Sequence, residues 1–362
     1  MTETENLCGL RREDFQTTIN GKQTDLYFLR NSVGNEVAIT NYGGGIVAIM
    51  VPDRDGNYAN VIQGHANIQE AMTAEPYLST LIGRFGNRIC RGKFQLKGKE
   101  YQLAINDGPN ALHGGPKGFH ARVWDALQMN DHTLVLNLIS AYGEEGYTGE
   151  VKVTVVYTFT DENELVIEYM ATTNKKTIIN LTNHGFFALA GIADPTPTIE
   201  DVECEINADF YLPIDETSIP TGEILKVEGT PFDFRTPKTF GQDIDADNEQ
   251  IKNGSGYDHC YVLNKREEGE LSFAARIYEP KSGRTMDVFT TEPGVQVYTG
   301  NFLDGIKGKE GKKYAWRSAV CLETQQYPDS PNNLWPESTG RLKADDRFEA
   351  LTIYRFYESG KD

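Results

Sequence analysis

Three histidines and one glutamate stand in surroundings where they could do chemistry. His113 lies in Leu112-His113-Gly114-Gly115-Pro116-Lys117-Gly118-Phe119, a tight glycine loop. His184 lies in Asn180-Leu181-Thr182-Asn183-His184-Gly185-Phe186-Phe187, and His259 in Gly256-Tyr257-Asp258-His259. Glu323 sits among polar and aromatic neighbours in Cys321-Leu322-Glu323-Thr324-Gln325-Gln326-Tyr327-Pro328. A carboxylate ionised at pH 7 suits a base, and a histidine titrating near neutrality suits an acid. Each residue also has a plain structural reading. A histidine beside glycines commonly serves a turn, and a strand glutamate commonly faces water. On residue types alone, the chain offers a His/carboxylate acid–base site and nothing narrower.

The elements that must position these groups read as strands nearly throughout. Val151 to Phe159 is β-branched and aromatic, Thr160-Asp161-Glu162-Asn163 is a turn, and Leu165, Ile167 and Tyr169 then alternate with Val166, Glu168 and Met170. This is a hairpin signature. Leu134 to Ile139 is another apolar run, and Val202, Cys204 and Ile206 alternate with two glutamates. Asp55-Gly56 suggests a hairpin turn between Ile46–Val51 and Val61–Ile62. Helical periodicity is scarce, with one or two turns expected over Ile68 to Met72. The 35 glycines are spread as turn punctuation, without repeat or linker. The expectation is one all-β domain over 1–362, with a short tail over about 1–10 and its many antiparallel strands stacked or closed on themselves.

Composition narrows the partners. Hydrophobic residues at 39% and charged residues at 24% are ordinary for a folded chain. The net charge of −18 argues against nucleic acid, anionic membrane and strongly anionic substrates. The five cysteines form no CxxC pair, and the N-terminus has no apolar signal segment. Free thiols and a cytoplasmic location are expected.

Several short patterns mislead. Asn41-Tyr42-Gly43-Gly44-Gly45 lacks nucleotide-loop spacing. Asp53-Arg54-Asp55-Gly56-Asn57 has its glycine two positions early for a calcium loop, and Gly64 stands where the bidentate glutamate belongs. Asp243, Asp245 and Asp247 read as a solvated acidic loop. No histidine pair has zinc spacing, so no metal is expected.

The motifs in combination say more. Gly83-Arg84-Phe85-Gly86-Asn87-Arg88-Ile89, Leu112 to Phe119, Asn180 to Phe187, Pro231-Phe232-Asp233-Phe234-Arg235, Tyr257-Asp258-His259, Glu292 to Asn301, and Glu323-Thr324-Gln325 with Pro328 to Asn332 occur in this order. Together they resemble the signatures of the galactose mutarotase, or aldose 1-epimerase, family, from about Phe15 to Phe356. Thr148, Ala188 and Cys260 depart from residues common there.

The resemblance implies a large antiparallel β-sandwich with a sugar in an open cleft. It implies an isomerase exchanging the α and β anomers of a free hexose such as galactose or glucose, without cofactor. Such a reaction needs a base for the C1 hydroxyl proton and an acid for the ring oxygen, exchanging roles on ring closure. The resemblance assigns Glu323 as base, His184 as acid and His113 as a further hydrogen bond to the opening hemiacetal. It assigns Asn87, Arg88, Asp258 and Gln296 to substrate hydroxyls. Arg84, Arg235, Asp233 and His259 look like scaffold. A monomer or weak homodimer is expected. The rival readings are a carbohydrate-binding sandwich without catalysis, a hexose-6-phosphate 1-epimerase, which needs a basic phosphate pocket, and a glycosidase, which uses two carboxylates.

Overall fold

The β-branched hairpin expected at 151–173 anchors the largest sheet. In the computed structural model, which describes residues 6–359, Val151–Phe159 pairs antiparallel with Glu164–Thr173, from Val151 opposite Thr173 to Phe159 opposite Leu165. Alternate side chains of the first strand are buried, which is why the hydrophobic pattern fixes the register. Nine antiparallel strands make this sheet. Asp125–Asn130, Thr133–Ser140 and the hairpin occupy one side. Arg347–Glu358, Arg284–Thr290, Ser272–Tyr278, Glu203–Ile206 and Lys238–Thr239 continue it on the other.

A five-stranded antiparallel sheet carries Asp258–Val262, Gly294–Tyr298 and Cys321–Gln325 side by side. A four-stranded sheet joins Leu26–Arg30, Glu36–Thr40, Ile46–Pro52 and Tyr58–Asn60. One contiguous core cluster unites the three sheets, including Leu29, Val155, Val297 and Tyr354. The antiparallel β-sandwich is therefore the fold, and no helix among the described residues is long and apolar enough to cross a membrane.

Two local expectations change. The hairpin after Ile46–Pro52 returns at Tyr58–Asn60, earlier than Val61–Ile62. Asp53 Oδ1 accepts the N–H groups of Asp55 and Asn57 and closes the turn within five residues. Ile62–Gln63 instead pairs with Phe186–Phe187, next to His184. The acidic stretch at 243–247 is solvent-facing as expected, with Asp245 and Asp247 exposed, and it is ion-paired there: Asp243 meets Lys238, Asp245 meets Arg317 and Asp247 meets Lys252. A helix missed in the sequence follows it at Glu249–Gly254, capped by the Asn248 side chain. The short helix expected at 68–72 is present as Ile68–Thr73. Of the expected tail, residues 1–5 lie outside the described ones, while Leu7 and Cys8 donate main-chain N–H bonds to Glu36 Oε1. All five cysteines are free thiols.

Candidate active site

Strand register builds one wall of the site. Gln296 lies directly opposite Cys260 on one side and Glu323 on the other, and Asp258 lies opposite Tyr298. Residues paired across an antiparallel ladder share a face, and so do residues two apart along a strand. Asp258, Gln296, Tyr298 and Glu323 thus project from the same face. The alternate residues His259, Val297 and Leu322 turn into the core.

The opposite wall comes from two short pairings. Arg88–Ile89 pairs with Ala111–Leu112, so His113 follows directly on one strand and Asn87 directly precedes the other. The main-chain N–H of Asn87 donates to His113 Nδ1 at 3.0 Å, and His113 N donates back to Asn87 O at 3.0 Å. Gly114 makes this turn possible: its φ is +84°, and a Cβ there would lie 2.0 Å from Gly83 O. His184 follows Thr182–Asn183, which pairs with Leu81–Ile82. Its ring stacks on Phe186, with centroids 4.9 Å apart, and meets His113 edge-on at 5.1 Å.

These walls enclose a cleft of about 500 Å³. His113, His184, Glu323, Asn87, Arg88 and Asp258 line it. Gln296, buried on the same face, donates Nε2–H to Asp258 Oδ1 at 2.8 Å, with its own Oε1 unpartnered. Tyr77, Asp107, Phe186, Tyr298 and Phe302 are among the other wall residues. Sequence reasoning missed these five as site residues. Phe186 and Tyr298 fell inside quoted motifs, but Tyr77 and Asp107 lie in loops without pattern. None of the three departures lines the cleft: Cys260 lies opposite Gln296 and packs with Leu212, Tyr327 and Trp335, Ala188 packs near Phe186, and Thr148 supplies a carbonyl to buried Arg84. His259 is wholly buried and accepts Asp258 N–H at Nδ1, which is scaffold geometry. Arg84 donates to main-chain carbonyls in the interior, and Asp233 pairs with Arg235 at the surface. A larger open groove of about 1210 Å³ beside Glu292 and Arg347 holds none of the expected site residues.

Burial sets the electrostatics. His184 Nε2 lies 3.5 Å from Glu323 Oε1. Desolvation lowers the His184 pKa to about 4 and raises that of Glu323 well above the ordinary carboxylate range, with Asp258 pushing it further and Arg88 opposing. Both directions run against the ionised glutamate and near-neutral histidine expected from sequence and favour a protonated Glu323 beside a neutral His184. Burial likewise holds His113 neutral. Because His113 Nδ1 accepts a main-chain N–H, its proton resides on Nε2, and the ring faces the cleft as a donor. His113, His184 and Glu323 place one ligand-type atom each within 4.8 Å of one another. A donor-locked His113 nevertheless has no lone pair left for a cation.

Fold and site together describe an antiparallel β-sandwich whose polar and aromatic cleft holds a buried histidine–carboxylate pair. Comparison with known proteins agrees. The aldose 1-epimerase family pattern matches residues 25–355. The galactose mutarotase of Sus scrofa is 43% identical over 327 residues, covering 90% of this chain and 92% of that protein. The aldose 1-epimerase of Escherichia coli K12 is 34% identical over 338 residues, covering 93% and 96%. A GalM/aldose epimerase homologue from C. elegans superimposes with a TM-score of 0.85 at 28% identity, covering 93% of this chain and all of that one. The chain belongs to the aldose 1-epimerase family. It is an isomerase, interconverting the anomers of a free aldose.

Proposed function

We propose that the chain equilibrates the α and β anomers of galactose or glucose, with His184 and Glu323 exchanging protons with one hemiacetal. The observation that carries this reading is the 3.5 Å separation of the two groups inside the sugar-sized cleft. Glu323 takes the C1 hydroxyl proton, the C1–O5 bond breaks, and protonated His184 delivers its proton to O5. Rotation about C1–C2 presents the other face of the aldehyde. Closure runs the same transfers in reverse.

The pair carries one proton throughout. Before ring opening it is charge-separated, as carboxylate and imidazolium. With the open-chain aldehyde it is neutral, as carboxylic acid and imidazole. Burial favours this second arrangement, so the dry cleft lowers the energy of the open-chain state relative to the bound ring. His113 Nε2–H donates to the sugar oxygen where charge develops. Asn87, Arg88 and Asp258 bind hydroxyls, Gln296 steadies Asp258, and Phe186 and Tyr298 offer apolar faces to sugar C–H groups. Arg88 is the single Lys or Arg among the described residues lining the cleft, against Glu75, Asp107, Glu216, Asp258 and Glu323. That balance supports a free hexose over a hexose phosphate.

Glu323→Gln tests the assignment, by polarimetry of freshly dissolved α-D-galactose and α-D-glucose. The amide keeps the shape but cannot take the proton, and the rate should fall by about 10²–10⁴ while the sugar still binds. Near wild-type mutarotation by this variant would rule Glu323 out as base.

A further inference from the structure

Arg88 is the fixed cation of the cleft, and its anchor is a residue outside every recognised motif. Arg88 Nε donates to Asp107 Oδ2 at 2.7 Å, while Nη1 lies 3.9 Å from Asp258 Oδ2. A guanidinium is a rigid planar fork, so fixing Nε fixes where the remaining N–H groups point. Asp107 is itself held. Its main chain exchanges hydrogen bonds with Asn110 across the Gly108-Pro109 turn, at 3.1 and 2.8 Å. Asn110 Oδ1 accepts Arg91 N–H, which ties the turn to the segment that carries Arg88. Asn110 Nδ2 donates to Thr217 Oγ1 and closes the turn against a second loop. The Asp107 side chain remains 34% exposed at the cleft wall.

We propose that Asp107 is a positioning residue of the epimerase reaction: it aims the Arg88 fork at the sugar and, with Asp258, balances the Arg88 charge acting on Glu323. The proposal rests on the reading that Glu323 and His184 exchange protons with the sugar. Other groups act on Glu323 too. His184 faces it directly, Asp258 comes from the same sheet one strand beyond Gly294–Tyr298, and Arg88 from the opposite wall. Its charge also acts on Cys260, Cys321 and Tyr354, from the strands Asp258–Val262, Cys321–Gln325 and Arg347–Glu358. Among these Arg88 is the permanent positive charge. Removing the Asp107 carboxylate leaves that charge less compensated, favours the Glu323 carboxylate and lets the proton of the catalytic pair leave at lower pH.

Asp107→Asn keeps size and a carbonyl acceptor while removing the charge, and Asp107→Glu keeps the charge on a longer stem. Mutarotation followed by polarimetry across pH should give Asp107→Asn a KM raised roughly three- to tenfold, with a smaller change in plateau kcat. Its alkaline limb should move down by about half a pH unit or more. Asp107→Glu should keep the wild-type limb. An unmoved limb in Asp107→Asn, or the same shift in both variants, overturns the proposal. Calorimetric binding of galactose to Glu323→Gln and to Glu323→Gln/Asp107→Asn separates this question from the catalytic assignment. The double variant should bind more weakly, and equal affinity would overturn the positioning role. A fully active Glu323→Gln would instead sink the catalytic reading and leave the binding comparison intact.

Discussion

His184 Nε2 and Glu323 Oε1 face each other across 3.5 Å, and their side chains are only 7% and 2% exposed. One comes from the segment after Thr182–Asn183 and the other from the middle of Cys321–Gln325. Two groups so placed titrate as a unit, so the number of protons on the pair matters more than which group holds them.

That number sets the pH dependence. Turnover needs one proton on the pair. Below the acid limb His184 gains a second proton, Glu323 stays protonated, and no base remains. Above the alkaline limb the shared proton is lost and no acid remains. Burial lowers His184 to about 4 and raises Glu323, so both limbs move away from neutrality. Background-corrected kcat/KM should hold a plateau through neutrality and fall only near pH 4 on the acid side. An acid limb between about pH 6 and 7 would mean that His184 titrates like an exposed imidazole, against this account.

Chelation should leave the rate unchanged. The nearest approach to a ligand cluster is His113, His184 and Glu323. His113 fails as a ligand because Asn87 N–H occupies its lone pair at Nδ1. Dialysis against EDTA, followed by polarimetry, should give full activity. A loss reversed by a divalent ion would refute the tautomer argument.

Gly114→Ala should damage both stability and rate. The backbone there is left-handed, and the new methyl would overlap Gly83 O. The strain and the enforced shift together should cost about 2–4 kcal/mol. Because His113 is the preceding residue, kcat should fall along with the urea midpoint. An unchanged midpoint would show that the loop can relax without the contact.

Much of this site was legible in the sequence, for identifiable reasons. Glu323, His184 and His113 sit in motifs whose order carries information that no single residue does. The 151–173 hairpin follows from alternation alone, because a buried face demands it. The ionisation of the pair was not legible, since burial is a property of the closed cleft. Nor was the place of Gln296, whose side chain ends at Asp258. Tyr77 and Asp107 come from loops that acquire meaning only when the walls meet. The helix Glu249–Gly254 was hidden because Ile251 is its single apolar residue, whereas Ile68, Ala71 and Met72 in the other short helix stand at helical spacing.

Asn180 offers the last test, because it joins three segments of the site through one amide. Its Oδ1 accepts Gln326 N–H at 2.9 Å, just beyond the Glu323 strand. Its Nδ2 donates to Gly86 O at 3.0 Å, beside Asn87 and Arg88, and to Gln326 O at 3.3 Å. The residue itself begins the run that ends in His184, and it is wholly buried. Asn180→Ala would strip its partners from the Gly86 carbonyl and from the N–H and carbonyl of half-buried Gln326, and each group left unsatisfied away from water costs about 1–3 kcal/mol. Urea denaturation should therefore show a loss of about 3 kcal/mol or more. In the fraction that stays folded, kcat should fall more than binding, since proton transfer depends on sub-ångström alignment of His184 and Glu323. Asn180→Asp keeps the acceptor for Gln326 but loses the donor to Gly86, and it buries a charge. It should be no more active than the alanine variant. If Asn180→Ala instead kept both its urea midpoint and its kcat, the three segments would have to be held in register by the sheet pairings alone.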